Sequence, residues 1–178
     1  MSHKNKNILP KKSSPLMTAA KLSALVSSLV FCGMTALSGA GLIYNRQSYG
    51  SELAAAGLLL IISAAMMTSG AVLCLFRKNI PNTAAIVLSA AGLVLCLIML
   101  KKLTDRADAG GWTDKYTLEP ISGMYTRRIL PCIIPAAVTA AISAVQLCSY
   151  ELKEQRRARK AAKLAKKNSP APSILDGE

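Results

Sequence analysis

Apolar residues in this chain are pooled into four long runs, and polar residues are confined to the segments between and beyond them. A soluble helix or strand would instead repeat its apolar positions every 3.6 or 2 residues. A helix of about 20 predominantly apolar residues crosses a hydrocarbon core roughly 30 Å thick. The pattern therefore predicts an all-α membrane protein, a bundle of four transmembrane helices. The predicted spans contain no Asp, Glu, Lys, Arg or His and cover residues 22–44, 53–76, 83–100 and 129–150.

The polar segments predict how the rest of the chain is organised. Residues 1–20 read as a flexible basic tail, and residues 21–150 as the transmembrane domain with its longest loop at 101–128. Residues 151–167 contain only strong helix formers and charged residues, so we expect a basic helical extension of the fourth span. Residues 168–178 are rich in Pro and Ser and predict a disordered tail.

Turn residues predict the ends of the helices. Pro81 is expected to stop the second helix, with Asn82 or Thr83 capping the third. The third helix is expected to continue to residue 108 and to end at the Gly110–Gly111 pair. Pro120 is expected to occupy the first position of the following helix.

The distribution of positive charge predicts the orientation. If both tails and the second linker lie on one side, they hold 15 of the 22 Lys and Arg residues. Basic residues near span ends favour the cytoplasm, so we expect a multi-pass protein of the cell membrane with both termini cytoplasmic. A cleaved signal peptide ending at Ala40 is the competing interpretation, but the first apolar run is longer than a signal h-region of about 7–15 residues.

The net charge is +13 at pH 7, and eight of the positive residues lie between residues 151 and 167. Juxtamembrane basic clusters attract anionic lipid head groups, and this is the partner that we expect. Nucleic acid is the rival partner, and the absence of any aromatic residue from 151–178 argues against base stacking. The candidate lipid contacts are Arg156, Arg157, Arg159, Lys160, Lys163, Lys166 and Lys167.

The long loop holds three aromatic candidates for an outer surface, Trp112, Tyr116 and Tyr125. One interpretation is that they anchor the loop among lipid head groups. The other is that they form a binding surface, because loops that carry polar variety often carry recognition.

Pro131 and Pro135 predict a kink near the start of the fourth span. Such a kink either serves packing or opens a gate or ligand pocket lined by freed carbonyls.

Gln146 is the most polar side chain within a span and should point to another helix or to the cytoplasmic interface. Small residues recur at four-residue spacing in every span and predict close helix packing, within one chain or in a homo- or hetero-oligomer.

Catalytic chemistry is not indicated by these residue types. The five cysteines all lie in spans without CxxC spacing, and the single histidine, His3, lies in the N-terminal tail. We therefore expect no cofactor, no metal site and no enzymatic activity.

The leading hypothesis for the function of this protein is a scaffold or accessory subunit of a membrane complex. A small transporter or channel for a neutral or lipophilic solute is the alternative, and recruitment of nucleic acid or ribosomes by the basic tail is the third hypothesis.

Overall fold

In the part of the chain that the structure describes, four helices are long and apolar enough to cross a bilayer, and they form the bundle. A computed structural model describes residues 15–76, 78–114 and 117–168. The predicted all-α transmembrane bundle is confirmed. Its elements are α1 (Pro15–Tyr44), α2 (Arg46–Tyr49), α3 (Ser51–Leu73), α4 (Asn79–Ala109), α5 (Ile121–Ile129), a 3-10 turn (Leu130–Cys132) and α6 (Ile133–Asn168).

The long helices pack in the order α1, α3, α4, α6, with α6 returning to contact α1. Short connections make successive long helices antiparallel, so the bundle has two distinct ends. We call the end that carries α2 and the loop 110–120 the loop end. The opposite end, where α1 and α4 begin and α3 finishes, is called the tail end.

Three glycines of α3 and its neighbours allow close backbone approach. A Cβ on Gly39 would collide with the carbonyl oxygen of Gly57, and a Cβ on Gly57 would lie 2.5 Å from the carbonyl oxygen of Gly39. A Cβ on Gly92 would lie 2.9 Å from the Ser63 carbonyl oxygen. Because lipid supplies no hydrophobic force between helices, such backbone contact is a main source of association in a membrane.

The end of α4 is fixed by a Schellman motif. The Trp112 amide donates to the Ala107 carbonyl at 3.0 Å, and the Gly111 amide donates to the Asp108 carbonyl at 3.1 Å. Gly111 has a φ of +60°, the left-handed conformation that this motif requires. The predicted stop at Gly110–Gly111 is confirmed, and the motif turns Trp112 back over the bundle.

The linker between α3 and α4 differs from its prediction. α3 ends at Leu73, and α4 begins at Asn79, so Pro81 lies in the first turn of α4 rather than after α3. The cap prediction for Asn82 and Thr83 was wrong, because both lie inside α4. Proline is tolerated there because the first-turn amides of a helix have no intrahelical partner. Pro120 likewise precedes α5 as its N-cap and is not its first residue.

Candidate functional site

Large aromatic side chains close the loop end of the bundle. The rings of Tyr49 and Trp112 lie 5.2 Å apart between centroids, tilted by 41°. Both pack with Tyr125 against the buried cluster that contains Leu103 and Ile129. Trp112 and Tyr125 therefore lie against the same cluster at the loop end, and their role as an outer-loop surface stays a prediction. Tyr116, the third predicted member, lies outside the described residues.

Hydrogen bonds join the described parts of the loop that carries Trp112. Thr113 and Pro120 form an antiparallel bridge, and the Ile121 amide donates to the Trp112 carbonyl at 3.0 Å. The Asp114 carboxylate accepts hydrogen bonds from the amide and hydroxyl of Thr117 at 2.9 and 3.1 Å. These contacts hold the base of the loop close to α5.

Buried polar side chains join the four helices at the tail end. Gln146 of α6 accepts from the Lys21 ammonium at 3.0 Å and from the Asn82 amide at 3.4 Å. Its own Nε2 donates to the Cys74 carbonyl oxygen at 3.3 Å, so the expectation that Gln146 points to another helix is confirmed. We call Lys21, Asn82 and Gln146 the tail-end polar cluster.

Lys21 has a different role from the one its position in the sequence suggests. A lysine at the start of a span usually extends its ammonium toward the head groups. Here the residue is only 7% exposed, and its ammonium donates to the Leu75 carbonyl oxygen at 3.1 Å. The carbonyls just past the end of a helix lack intrahelical partners and carry partial negative charge. The Lys21 ammonium therefore caps the C-terminal end of α3 from a neighbouring helix.

Several small polar side chains of α3, α4 and α6 are buried, namely Ser63, Asn82, Ser89, Thr139 and Ser143. Among the described residues, four buried polar oxygens have no hydrogen-bond partner: Asn82 Oδ1, Ser89 Oγ, Thr139 Oγ1 and Ser143 Oγ. Further toward the loop end, the Sγ atoms of Cys96 and Cys132 lie 3.6 Å apart. Within the described part of the chain, no group of three or more His, Cys, Asp or Glu side chains is arranged to hold a metal ion.

The two prolines of the predicted kink, Pro131 and Pro135, lie at the junction between α5 and α6. Pro131 is inside the 3-10 turn Leu130–Cys132, and Pro135 is buried in the first turn of α6. Proline removes the backbone donor that an α-helix would use at this point, which accounts for the local 3-10 geometry.

A groove of about 620 Å³ runs along the outside of the bundle between α1 and α3. Its floor consists of small side chains, and its rims consist of Leu29, Ile61 and Val72. Ala65 and Ser69, two small residues four positions apart in α3, lie in this groove and are exposed. The remaining small residues of the floor are Gly33, Ala36, Ala64 and Thr68.

The small residues that recur at four-residue spacing in α6 form only part of an internal seam. Ala136 is buried, but Ala144 and Cys148 are exposed. The buried side of α6 consists of Ala136, Thr139, Ile142 and Ser143.

The basic segment lies in the last turns of α6. The side chains of Arg156, Arg157, Arg159 and Lys160 are exposed. The side chains of Lys163, Lys166 and Lys167 lie outside the described residues, as do the N-terminal residues 1–14 and the C-terminal residues 169–178.

The sequence does not predict that Tyr49 and Arg128 line a pocket at the loop end. It also does not predict that Lys21 and Asn82 are partners of Gln146. The only feature that these four residues share in the sequence is a polar side chain at or near a predicted span boundary. Only packing shows which boundary residues turn inward.

Comparison with known proteins gives no match to a protein-family model, to a curated protein or to a solved structure. The fold and the site define the class, a helical membrane-spanning protein, and function has to be argued from the residues themselves.

Proposed function

We propose that the protein is a non-enzymatic integral membrane protein that acts as a scaffold or accessory subunit of a membrane complex. The observation that carries this proposal is the exposed groove between α1 and α3, with its floor of small residues. Small residues let two helix backbones approach closely, and close packing drives helix association in lipid. A transmembrane helix of a partner would meet mostly small and apolar side chains along this surface.

The absence of acid–base groups from the four apolar runs supports a non-enzymatic role. These runs contain no carboxylate and no histidine, the side chains that most general acid–base and metal chemistry uses.

Substitution of the groove floor tests the proposal. Ala65→Leu fills the groove, and Ala55→Leu places the same side chain on another exposed position of α3. A photo-reactive residue at Ser69 should cross-link a partner helix in native membranes, and the cross-link should be lost in Ala65→Leu but kept in Ala55→Leu. A chain that purifies as a solitary monomer in several mild detergents and gives no cross-link would refute the scaffold role.

We further propose that the protein resides in the cell membrane with both termini in the cytoplasm. The concentration of Lys and Arg in the tails and in the linker between α3 and α4 supports this orientation. Reporter fusions at residue 114 and at the C-terminus test it: the C-terminal fusion should be active as a cytoplasmic reporter and the loop fusion as an external one. The reverse pattern would overturn the orientation.

In this orientation the exposed basic residues of α6 meet the anionic inner leaflet. Each Lys or Arg near such a surface contributes about 1 kcal/mol to membrane attraction. Replacing Arg156, Arg157, Arg159 and Lys160 by Gln should reduce the binding of a peptide of residues 151–167 to anionic vesicles. Equal binding of the native and substituted peptides would exclude a lipid role for this segment.

Transport of a small neutral solute is the second candidate. The unpartnered oxygens of Asn82, Ser89, Thr139 and Ser143 favour it, because buried polar atoms without partners are rare unless water or a ligand satisfies them. Reconstituted vesicles test this function, with Pro135→Ala as the variant that restores a regular helix. Solute flux equal to that of empty vesicles would exclude transport of the solutes tested.

A further inference from the structure

A pocket of about 240 Å³ opens at the loop end between α1, α2 and α5. Its polar side is formed by Asn45, Tyr49, Tyr125 and Arg128. Its opposite side is formed by Met34 and Leu37, which lie about two turns or more further along α1 toward the middle of the membrane. The pocket therefore changes from polar to apolar along the direction in which a membrane changes from head groups to acyl chains.

The polar side presents hydrogen-bond donors and one positive charge. Tyr49, Tyr125 and Arg128 line the same pocket. Tyr49 is held in place by its ring contact with Trp112. Within the described part of the chain, Arg128 makes no salt bridge. A guanidinium beside two phenol groups is suited to an oxyanion, and Arg in particular matches the geometry of phosphate.

The neighbouring arginine provides an internal comparison. Arg127 is one residue away, carries the same charge and is exposed like Arg128, but its guanidinium lies 3.4 Å from the Glu119 carboxylate. It does not line the pocket. The two arginines differ in surroundings and not in chemistry.

The apolar side is open to the membrane. Leu37 is 70% exposed, and Met34 is exposed beside it. An acyl chain lying along these two side chains would cover apolar surface without displacing any helix contact. Free phosphate would leave this half of the pocket unused.

We propose that this pocket binds an anionic phospholipid, with its phosphate on Arg128 and the tyrosine hydroxyls and one acyl chain along Met34 and Leu37. This site is separate from the basic segment of α6, which lies at the tail end. It does not depend on the scaffold role or on which face of the membrane the loop end occupies.

The test uses the full chain in detergent. Native mass spectrometry and thermal unfolding are measured with added phosphatidylglycerol, phosphatidylcholine or inorganic phosphate. Phosphatidylglycerol should bind and raise the unfolding temperature. Arg128→Gln should weaken this binding about tenfold or more, because it removes a charge-assisted hydrogen bond, while Arg127→Gln should change it less than about twofold. The basic segment of α6 is the same in both variants, so its lipid binding cancels in this comparison.

Two further variants keep the result interpretable. Arg128→Lys preserves the charge without the fork of donors and should retain part of the affinity, which guards against an Arg128→Gln variant that merely unfolds. Leu37→Gln should weaken phosphatidylglycerol binding and leave any binding of inorganic phosphate unchanged.

Each remaining outcome contradicts the proposal. If Arg127→Gln and Arg128→Gln weakened phosphatidylglycerol binding equally, the lipid would be attracted by general surface charge and not by the pocket. Stabilisation by inorganic phosphate equal to that by phosphatidylglycerol would assign the site to a free anion. Equal binding of phosphatidylcholine and phosphatidylglycerol would show that net lipid charge is not recognised.

Discussion

The two halves of the bundle are held together by different kinds of side chain. In the loop half, large apolar residues fill the interior, among them Leu42, Leu60, Leu103 and Ile129, and aromatic rings cover them. In the tail half, the buried cluster consists mainly of small residues, Ala24, Cys74 and Ala85, with Ile142. Hydrogen bonds of the tail-end polar cluster complete that half.

This difference shows two ways to join helices in a medium without water. The loop half uses dispersion contacts, which are small singly and add up over large side chains. The tail half uses small side chains and polar contacts, and the polar contacts average about 0.6 kcal/mol each in membranes. We therefore expect the loop half to contribute more stability and the tail half to fix which helix ends meet.

The largest effect is expected from removing a large side chain in the loop half. Leu60 is 0% exposed, and Leu60→Ala should lower the free energy of unfolding by about 2–5 kcal/mol, through lost contacts and a residual cavity. Leu58 is 52% exposed on the same helix, so Leu58→Ala should have little effect. SDS titration in mixed micelles measures the free energy of unfolding of both variants. Equal losses of this free energy would contradict the burial of Leu60 in the core.

The glycine contact between α1 and α3 should give the next effect. Gly39→Ala drives a methyl group into the Gly57 carbonyl and should cost about 1–3 kcal/mol. Gly33→Ala is the control, because nothing lies within 4 Å of its Cβ position and alanine favours a helix. A Gly39→Ala variant as stable as Gly33→Ala would show that the two backbones lie further apart.

A smaller effect is expected in the tail half. Gln146→Leu removes hydrogen bonds to α1, α3 and α4 at once and should cost about 0.6–2 kcal/mol. Gln155→Leu, on an exposed turn of the same helix, should be close to neutral. A double-mutant cycle with Lys21→Met should show coupling between residues 21 and 146, and strict additivity would argue against their contact.

The smallest effect is expected for a hydroxyl that lacks a partner. Thr139→Val is nearly isosteric, and the Thr139 hydroxyl is buried without a hydrogen bond in the described part of the chain. The substitution should change the free energy of unfolding by less than about 1 kcal/mol. We expect the change to be an increase, because the substitution removes a buried group that has no hydrogen-bond partner in the described part of the chain. A clear loss of stability would indicate that water or a solute occupies this site, and would favour the transport function.

Much of the fold follows from local patterns. The uncharged runs are long enough that only helices satisfy their backbone in lipid, and Gly110–Gly111 ends α4 because the left-handed turn there needs glycine. The linker after α3 was harder to predict, because Pro81 is compatible both with the end of one helix and with the first turn of the next.

The candidate sites were less accessible to prediction than the fold. The aromatic residues of the loop stood out by type, but the Tyr49–Trp112 contact joins residues from separate connections. Arg127 and Arg128 are indistinguishable in sequence, and they differ only because one faces Glu119 and the other faces the pocket.

The length and apolarity of the four runs are enough to predict a four-helix membrane-spanning chain, because both are local properties that can be compared directly with the thickness of a bilayer. Helix packing is needed to show that Lys21 turns inward to cap α3, that Ala65 and Ser69 stay exposed in a groove, and that Arg128 faces a pocket. These properties depend on the rotation of each helix about its own axis. Packing against neighbouring helices sets that rotation. It cannot be predicted from a run that is apolar on all sides, because such a run has no polar face to indicate which side is buried.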